Sequence, residues 1–469
     1  MKFMNRETEL RCLNEVYHRD ASQLLVLYGR RRIGKTELIT HWLDNDIQKN
    51  TIYWVAYKSS SEILLEKFSR LIAPFLKDIE PGFRFNDWES ALNQIFNIAK
   101  SKKLVLAIDE FPYLLDSVPE FSSILQMLWD QHKKHCHIIL LVCGSNYHMM
   151  FQEFVSGKRP LYGRSTADLL LEEIEIDNIS LFLPSYSQVQ IVETFSIIGG
   201  VPKYLEMWND KKSVFKNIEE IILSPITIFR QEAIFLIQDE ISEPRTYIAI
   251  LEAIGTGLKT PKEISIITGI AINHMGKYLK TLIELKFIRR VISLDTPNIS
   301  NTKISRYEIK DAYLRFYFTY IHPNLEFIEQ KRISRLMTII SQNFDSFVGK
   351  TAYEELARKL IIKLGDTNKL SFMPEYVGRV WNKKVEIDIA AINKKSQIVL
   401  LGECKWSRKK MNINDLDMLG NKSKLLPKVK DYRIQYALFS KNGFTAALIE
   451  KARIENVMLF QHANLERLV

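Results

Sequence analysis

No apolar stretch in the chain approaches the roughly 18 to 20 residues that a membrane-spanning helix needs, and there is neither an internal repeat nor a low-complexity segment. The opening residues, Met1-Lys2-Phe3-Met4-Asn5-Arg6-Glu7, carry no apolar core of the kind a secretion signal requires. Cysteine is scarce. Cys12, Cys136, Cys143 and Cys404 are scattered without C-x-x-C spacing. Two of them, Cys143 and Cys404, fall in apolar strand-like runs, so reduced thiols in a cytoplasm are expected rather than a disulfide framework. What is present is the composition of a globular chain, 46% hydrophobic and 26% charged over 469 residues. That length exceeds one hydrophobic core and suggests about three domains.

The charge is unevenly placed. Residues 321–469 hold 18 Lys and 8 Arg against 16 Asp and Glu, a surplus of +10, which is also the net charge of the whole chain. The preceding 320 residues therefore balance. A basic final third suits a polyanion, DNA above all, although a solvated lysine-rich surface has the same composition.

The most informative run is Gly29-Arg30-Arg31-Arg32-Ile33-Gly34-Lys35-Thr36, which follows an apolar strand-like segment, Leu24 to Tyr28. The spacing G-x-x-x-x-G-K-[ST] lets backbone N–H groups turn around a polyphosphate. Lys35 then reaches the β and γ phosphates, and the Thr36 hydroxyl ligates Mg²⁺. A helix expected over Lys35 to Trp42 points its positive end at the same anion. Gly29 through Glu37 is thus the expected ATP-binding segment, Glu37 included. A second motif, Leu104-Val105-Leu106-Ala107-Ile108-Asp109-Glu110, reads as a buried parallel strand that delivers two acids to the carboxyl edge of a sheet. Asp109 would hold Mg²⁺ through water, and Glu110 would orient and deprotonate the attacking water. A third strand, Ile138 to Val142, ends in Cys143-Gly144-Ser145-Asn146, where Ser145 or Asn146 would reach the γ-phosphate or the water. Arg164, in Pro160-Leu161-Tyr162-Gly163-Arg164, is a candidate finger, in cis or across a contact in a homo-oligomer. Gly199-Gly200-Val201-Pro202-Lys203-Tyr204 reads as a tight turn in a helical lid. Pro202 there lines the adenine pocket, unless turn formation alone explains the run.

These blocks, together with Asn5-Arg6-Glu7-Thr8-Glu9-Leu10 and Ile108-Asp109-Glu110-Phe111-Pro112-Tyr113-Leu114, resemble the signature motifs of the archaeal-type ATPases, a STAND/AAA-related branch of the P-loop NTPases. The match runs in the family's order over about half the chain. The resemblance implies that Arg6 sits near the adenine, that Arg164 is the finger, and that ATP is hydrolysed slowly as a conformational switch.

From Thr246 to Ile292 the pattern is three short helices. Pro261 and Glu263 after Thr260 mark a helix start, and Gly269 a turn. Two strands follow, Phe287-Ile288-Arg289-Arg290-Val291 and Ser305-Arg306-Tyr307-Glu308-Ile309, joined by a polar loop: a winged helix-turn-helix in outline. Its third helix would present Asn273, His274, Lys277 and Lys280 to DNA. The same module also serves as internal packing, and fold likeness alone does not choose. The aromatic run Tyr313 to Tyr320 reads as packed helix.

The last 120 residues carry the second chemical candidate. Val385-Glu386-Ile387-Asp388-Ile389-Ala390 and Ile398-Val399-Leu400-Leu401-Gly402-Glu403-Cys404-Lys405 read as a hairpin. Strand alternation puts Glu386 with Asp388 on one face and Glu403 with Lys405 on one face. Asp388 and Glu403 would hold Mg²⁺, with the Cys404 carbonyl as a third oxygen. Lys405 would orient the metal-activated water or stabilise the phosphorus. The helix residues Tyr353-Glu354-Glu355 would add an acid. This arrangement resembles the PD-(D/E)xK nuclease superfamily, in the form fused to archaeal-type ATPases, with Ile387 where the motif's proline would stand. The family comparison favours Glu354 over Glu355.

The expected protein is therefore an α/β multidomain chain. A P-loop NTPase parallel sheet over 1–170 and a helical lid over 171–235 come first. A winged helix-turn-helix over 236–320, a helical linker over 321–345 and an α/β restriction-endonuclease-like domain over 346–469 follow. The expected activity is an ATPase switch coupled to an Mg²⁺-dependent DNase that binds DNA through the basic domain, with no membrane partner. Two rivals stand beside it: an ATP-dependent DNA-binding regulator that does not cut, and a signalling scaffold contacting proteins only.

Overall fold

A computed structural model describes residues 3–467 except 48, 78, 79, 156, 158, 295–304, 427, 428 and 430. Two units emerge, one of Met1–Ile174, Val201–Tyr204 and Gln238–Ser242, the other of Glu175–Gly200, Leu205–Ile237 and Glu243–Val469. The expected boundary at 170/171 falls four residues before the one between the units, and the later ones lie within the second unit. Among the described residues no helix is long and apolar enough to cross a membrane.

In the first unit, β1 (Gln23–Tyr28), β2 (Thr51–Val55), β3 (Leu104–Asp109), β4 (Ile138–Gly144) and β5 (Ala167–Leu170) form one parallel sheet in the order β2-β3-β4-β1-β5. The continuous apolar runs of β1, β3 and β4 follow from burial on both faces. Leu24, Val26, Leu106, Ile108, Leu140 and Val142 enter one core, while Leu25, Leu27, Val105, Ala107, Ile139 and Leu141 enter the other. Leu38, Ile39 and Trp42 of the Lys35–Trp42 helix close the second core. The register aligns Tyr28 with Gly144 and Ile108 with Val142. Three strands thus end together, presenting Gly29, Asp109–Glu110 and Ser145 at one edge. The strand expected to stop at Val142 continues through Gly144.

In the second unit, helices Arg245–Gly255, Pro261–Thr268 and Ile272–Glu284 precede an antiparallel pair, β6 (Ile288–Val291) and β7 (Arg306–Ile309). Thr260 and Glu263 form the reciprocal cap expected of them, and Gly269 ends that helix at φ +70°. The polar loop expected between the two strands lies largely outside the described residues. Tyr313, Phe316, Tyr317, Phe318 and Tyr320 are buried, so the aromatic run is packed.

After the Glu354–Asp366 helix come β8 (Tyr376–Trp381), β9 (Glu386–Asn393), β10 (Ile398–Lys405), β11 (Arg433–Ser440), β12 (Met458–Gln461) and β13 (Glu466–Arg467). Their order is β13-β12-β11-β10-β9-β8. An antiparallel meander of β8, β9 and β10 is extended by β11 and β12, which run parallel to β10 behind the Ile413–Lys424 and Ala446–Glu455 helices.

The β6–β7 pair is joined to this sheet by ions. Arg289 meets Glu355 at 2.9 Å, Arg306 meets Glu386 at 2.9 Å, and buried Arg379 bridges Glu308 and Glu354. These charges hold the Glu308 carboxyl down at about 2 despite its burial. Replacing Arg379 by Ala removes the cation shared by two enclosed carboxylates and leaves Glu308 to Arg289 and Glu354 to Arg358, so stability should fall by about 3 kcal/mol. Urea unfolding of the full chain measures it; a loss below about 1 kcal/mol would mean that water already reaches the site.

Candidate active site

The phosphate loop is shaped by two glycines. A Cβ on Gly29 would stand 2.5 Å from the Leu171 carbonyl oxygen and 2.6 Å from Ile33 Cδ1, so only hydrogen fits between β1 and the strand beside it. Gly34, at φ +87°, opens the Lys35–Trp42 helix in a left-handed conformation that costs glycine little. Positive-φ turns of this kind aim successive N–H groups at an anion.

Lys35 is buried, and its ammonium donates to two neutral acceptors of its own loop, the carbonyls of Gly29 at 2.8 Å and Arg30 at 2.9 Å. Burial lowers its pKa. The cation is held in place without a carboxylate partner in hydrogen-bond contact among the described residues, as a site awaiting a phosphate oxygen would hold it. The Thr36 hydroxyl donates to Asp109 Oδ2 at 2.7 Å, and Tyr53 donates to the same oxygen at 3.0 Å. Asp109 Oδ1 accepts from the Glu110 N–H at 2.9 Å. Hydroxyl and carboxylate oxygens are hard donors of the kind Mg²⁺ takes beside water and phosphate. Among the described residues no three His, Cys, Asp or Glu gather around an ion site.

Glu110 adopts φ 53° and ψ 40°, a left-handed conformation unusual for a side-chain-bearing residue and typical of functional sites. Its carboxylate accepts from Ser145 Oγ at 2.9 Å. Of the alternatives at the end of β4, Ser145 is the one that reaches Glu110. Asn146 instead caps the Tyr147–Phe154 helix and donates to the Asp239 carbonyl at 2.8 Å.

The loop arginines fasten the loop to its surroundings. Arg30 pairs with Glu173 at 2.8 Å and reaches the Tyr204 hydroxyl at 3.2 Å. Arg31 bonds the Tyr113 hydroxyl at 2.7 Å and Asp239 at 2.5 Å. The Arg32 carbonyl accepts from Lys203 N at 3.4 Å, which sets Pro202 beside the loop. Arg6 lies behind the loop, its guanidinium engaged with Glu9 and the carbonyls of Ile33 and Glu172. Glu37 is exposed in the first helical turn.

Arg164 corrects an expectation. It binds Asp130 at 2.8 Å and the carbonyls of Pro160 and Tyr162, just before β5 begins. Thr166 N bonds the Leu24 carbonyl while Leu171 N bonds that of Tyr28. Arg164 therefore lies at the opposite edge of the sheet from the loop, about 13 Å or more away at the rise of a strand. A finger acting in cis is incompatible with that placement; only one reaching across a subunit contact remains. Tyr53, Asp239 and Glu240 carry no local mark in the sequence, since the fold brings them to the site from elsewhere, and Tyr113 stands in a motif without a role assigned to it.

The second candidate lies in the other unit. Gly402 pairs with Ile389, so Asp388 and Glu403 stand opposite each other on one face of the hairpin. Asp388 Oδ2 accepts from Cys404 N at 3.0 Å, and Lys422 holds both oxygens of Glu403 at 2.8 and 2.7 Å. Burial raises both carboxyl pKa values, and the Asp388 charge raises that of Glu403 further. Glu354 is pushed up to about 7 by burial and then by Asp388, against the pull of Arg379 and Arg358. Lys405 is paired with Asp415, and Glu355 and Glu386 are turned to the β6–β7 arginines. Lys422 and Arg379 carried no motif that could have announced them.

Phosphate loop, paired acids on β3 and the interposed β4 define a P-loop ATPase. Residues 3–208 match the model of an ATPase domain found predominantly in Archaea, and residues 317–416 a model of archaeal and bacterial proteins of unknown function. An uncharacterised protein of Methanocaldococcus jannaschii is 33% identical over 452 residues, covering 94% of this chain and 95% of that one. An uncharacterised ATP-binding protein of the same organism is 21% identical over 299 residues, 54% of this chain and 79% of its own. A Walker-type ATPase of Pyrococcus abyssi shares the fold, with a TM-score of 0.50 at 17% identity over 67% of this chain and 96% of its own. The chain belongs to the family of that first Methanocaldococcus jannaschii protein, with an ATPase domain of the predominantly archaeal type over residues 3–208, and it is an ATP-binding ATPase.

Gly29→Ala should force the Leu171 carbonyl aside at a cost of about 1–3 kcal/mol. ATP affinity should weaken with it. Thermal unfolding and nucleotide titration of the variant check both; unchanged values would show that the strands can part freely.

Proposed function

We propose that this ATPase is a nucleotide-operated switch joined, through a winged-helix module, to a metal-dependent domain that cleaves DNA phosphodiesters. In the ATPase site Lys35 engages the β and γ phosphates, and Thr36 and Asp109 hold Mg²⁺. Glu110 orients and deprotonates the attacking water, with Ser145 fixing its carboxylate. Support for the last role comes from the 2.9 Å bond between Ser145 and Glu110.

The observation that carries the nuclease half is the opposed pair Asp388 and Glu403 on β9 and β10. Asp388 and Glu403 are the two acids that would hold a divalent cation, and the charge of Asp388 on the buried Glu403 is what such a cation would relieve. Such a cation supplies charge neutralisation and an acidified water. Lys405 would steady the phosphorus once it leaves Asp415. A helix, a three-stranded meander and two parallel strands behind helices is also the order of restriction-endonuclease-like domains, which supports the reading by analogy. DNA binding is supported by the +10 charge of residues 321–469 and by exposed Asn273, His274, Lys277 and Lys280 on the Ile272–Glu284 helix. The order of the domains along the chain is what motivates the coupling to ATP. A second reading, a regulator that binds without cutting, is favoured by one fact: Lys422 already occupies both oxygens of Glu403.

Two measurements test these roles. Glu110→Gln should bind ATP as the parent does while single-turnover hydrolysis falls on the order of 10²–10³-fold; undiminished hydrolysis removes Glu110 from the chemistry. Plasmid incubated with Mg²⁺ or Mn²⁺, with and without ATP, should be nicked by the parent and not by Asp388→Asn. Equal nicking by both would point to a contaminant. Salt-sensitive binding with no product at any metal concentration supports the regulator, and no retention on DNA at low salt supports a protein-only scaffold.

A further inference from the structure

The residues Gln238–Ser242 belong to the ATPase unit although the chain on either side of them belongs to the other. Two of their side chains, Asp239 and Glu240, reach the elements that form the ATPase site. Glu240 accepts from two backbone donors, Tyr147 N at 2.9 Å and His148 N at 3.2 Å, in the first turn of the helix that leaves the Ser145 loop. The Asp239 carbonyl accepts from the Asn146 side chain at 2.8 Å, and the Asp239 carboxylate takes Arg31 of the phosphate loop at 2.5 Å. Three consecutive residues after Ser145 are therefore pinned from outside, by one short segment that also grips the phosphate loop.

We propose that Asp239 and Glu240 are positioning residues for ATP hydrolysis, setting the Ser145 loop so that Ser145 holds Glu110 in its working orientation. Neither touches the reacting atoms. Their effect runs from Glu240 through the backbone of Tyr147 and His148 to Ser145 Oγ, and from there to Glu110 Oε2. The burial of Glu240, which pushes its carboxyl up to about 7, agrees with a group placed for its hydrogen bonds rather than for solvent contact. A mere helix cap would contribute to stability alone. A positioning residue must act on the rate, because small misplacements of a catalytic group are amplified in kcat.

The test uses the full chain and Mg-ATP. Glu240→Ala should lower kcat about tenfold or more while ATP affinity, titrated with a slowly hydrolysed analogue, stays within about threefold. Combined with Ser145→Ala, the two losses should be strongly sub-additive, as expected of groups acting through one another. Should Glu240→Ala fail to fold by circular dichroism, Glu240→Gln, which keeps one acceptor oxygen, is read in its place, with a loss of about threefold expected. Wild-type kcat in the folded variant, a fall in kcat matched by an equal fall in affinity, or fully additive losses would each overturn the proposal.

Discussion

A buried lysine whose ammonium is hydrogen-bonded to backbone carbonyls organises the ATPase unit. Lys35 is enclosed, and its ammonium rests on carbonyls of its own loop, partners that satisfy its hydrogens without neutralising its charge. Burying an unpaired cation is costly unless something else in the site is arranged around it. What surrounds it is a sheet whose central strands end in register, placing Asp109, Glu110 and Ser145 along the same edge. A triphosphate is the anion that this loop and these groups are arranged to receive together.

The two candidate sites solve the same electrostatic problem in opposite ways. At the phosphate loop positive charge waits for an anion. On the hairpin of β9 and β10 negative charge has gathered, and the protein's own cations answer it: Lys422 on Glu403, Arg379 on Glu354. The depressed carboxyl of Glu308 and the raised one of Glu354 share the same arginine; burial and then Asp388 raise Glu354, while Arg289 and Lys259 add to the pull of Arg379 on Glu308. The β6–β7 arginines extend this network, so the acids Glu355 and Glu386, equally plausible from spacing alone, are consumed in structure.

Much of this was legible beforehand, for a physical reason. Motifs that contact an anion through consecutive backbone groups are necessarily contiguous, so Gly29 to Thr36 declared itself. Strands covered on both faces write themselves as apolar runs, so β1, β3 and β4 could be placed to within a residue or two. Alternation put Asp388 and Glu403 on one face once the hairpin was recognised. Illegible were the partners that arrive by tertiary folding: Tyr53 on Asp109, Asp239 on Arg31, Glu240 at the helix after Ser145, Lys422 on Glu403. Arg164 shows the converse limit, because proximity in motif order does not reveal which edge of a sheet a residue occupies, and only the reading across a subunit contact is left to it.

One triphosphate site is built around Lys35, and calorimetric titration of Mg-ATP into the full chain and into Lys35→Ala tests this. One ATP per chain should bind to the parent, with affinity in the variant lower by about 100-fold or more, as loss of a charge-assisted contact to phosphate implies. Equal affinity in the two proteins, or a parent that binds no nucleotide, would contradict it.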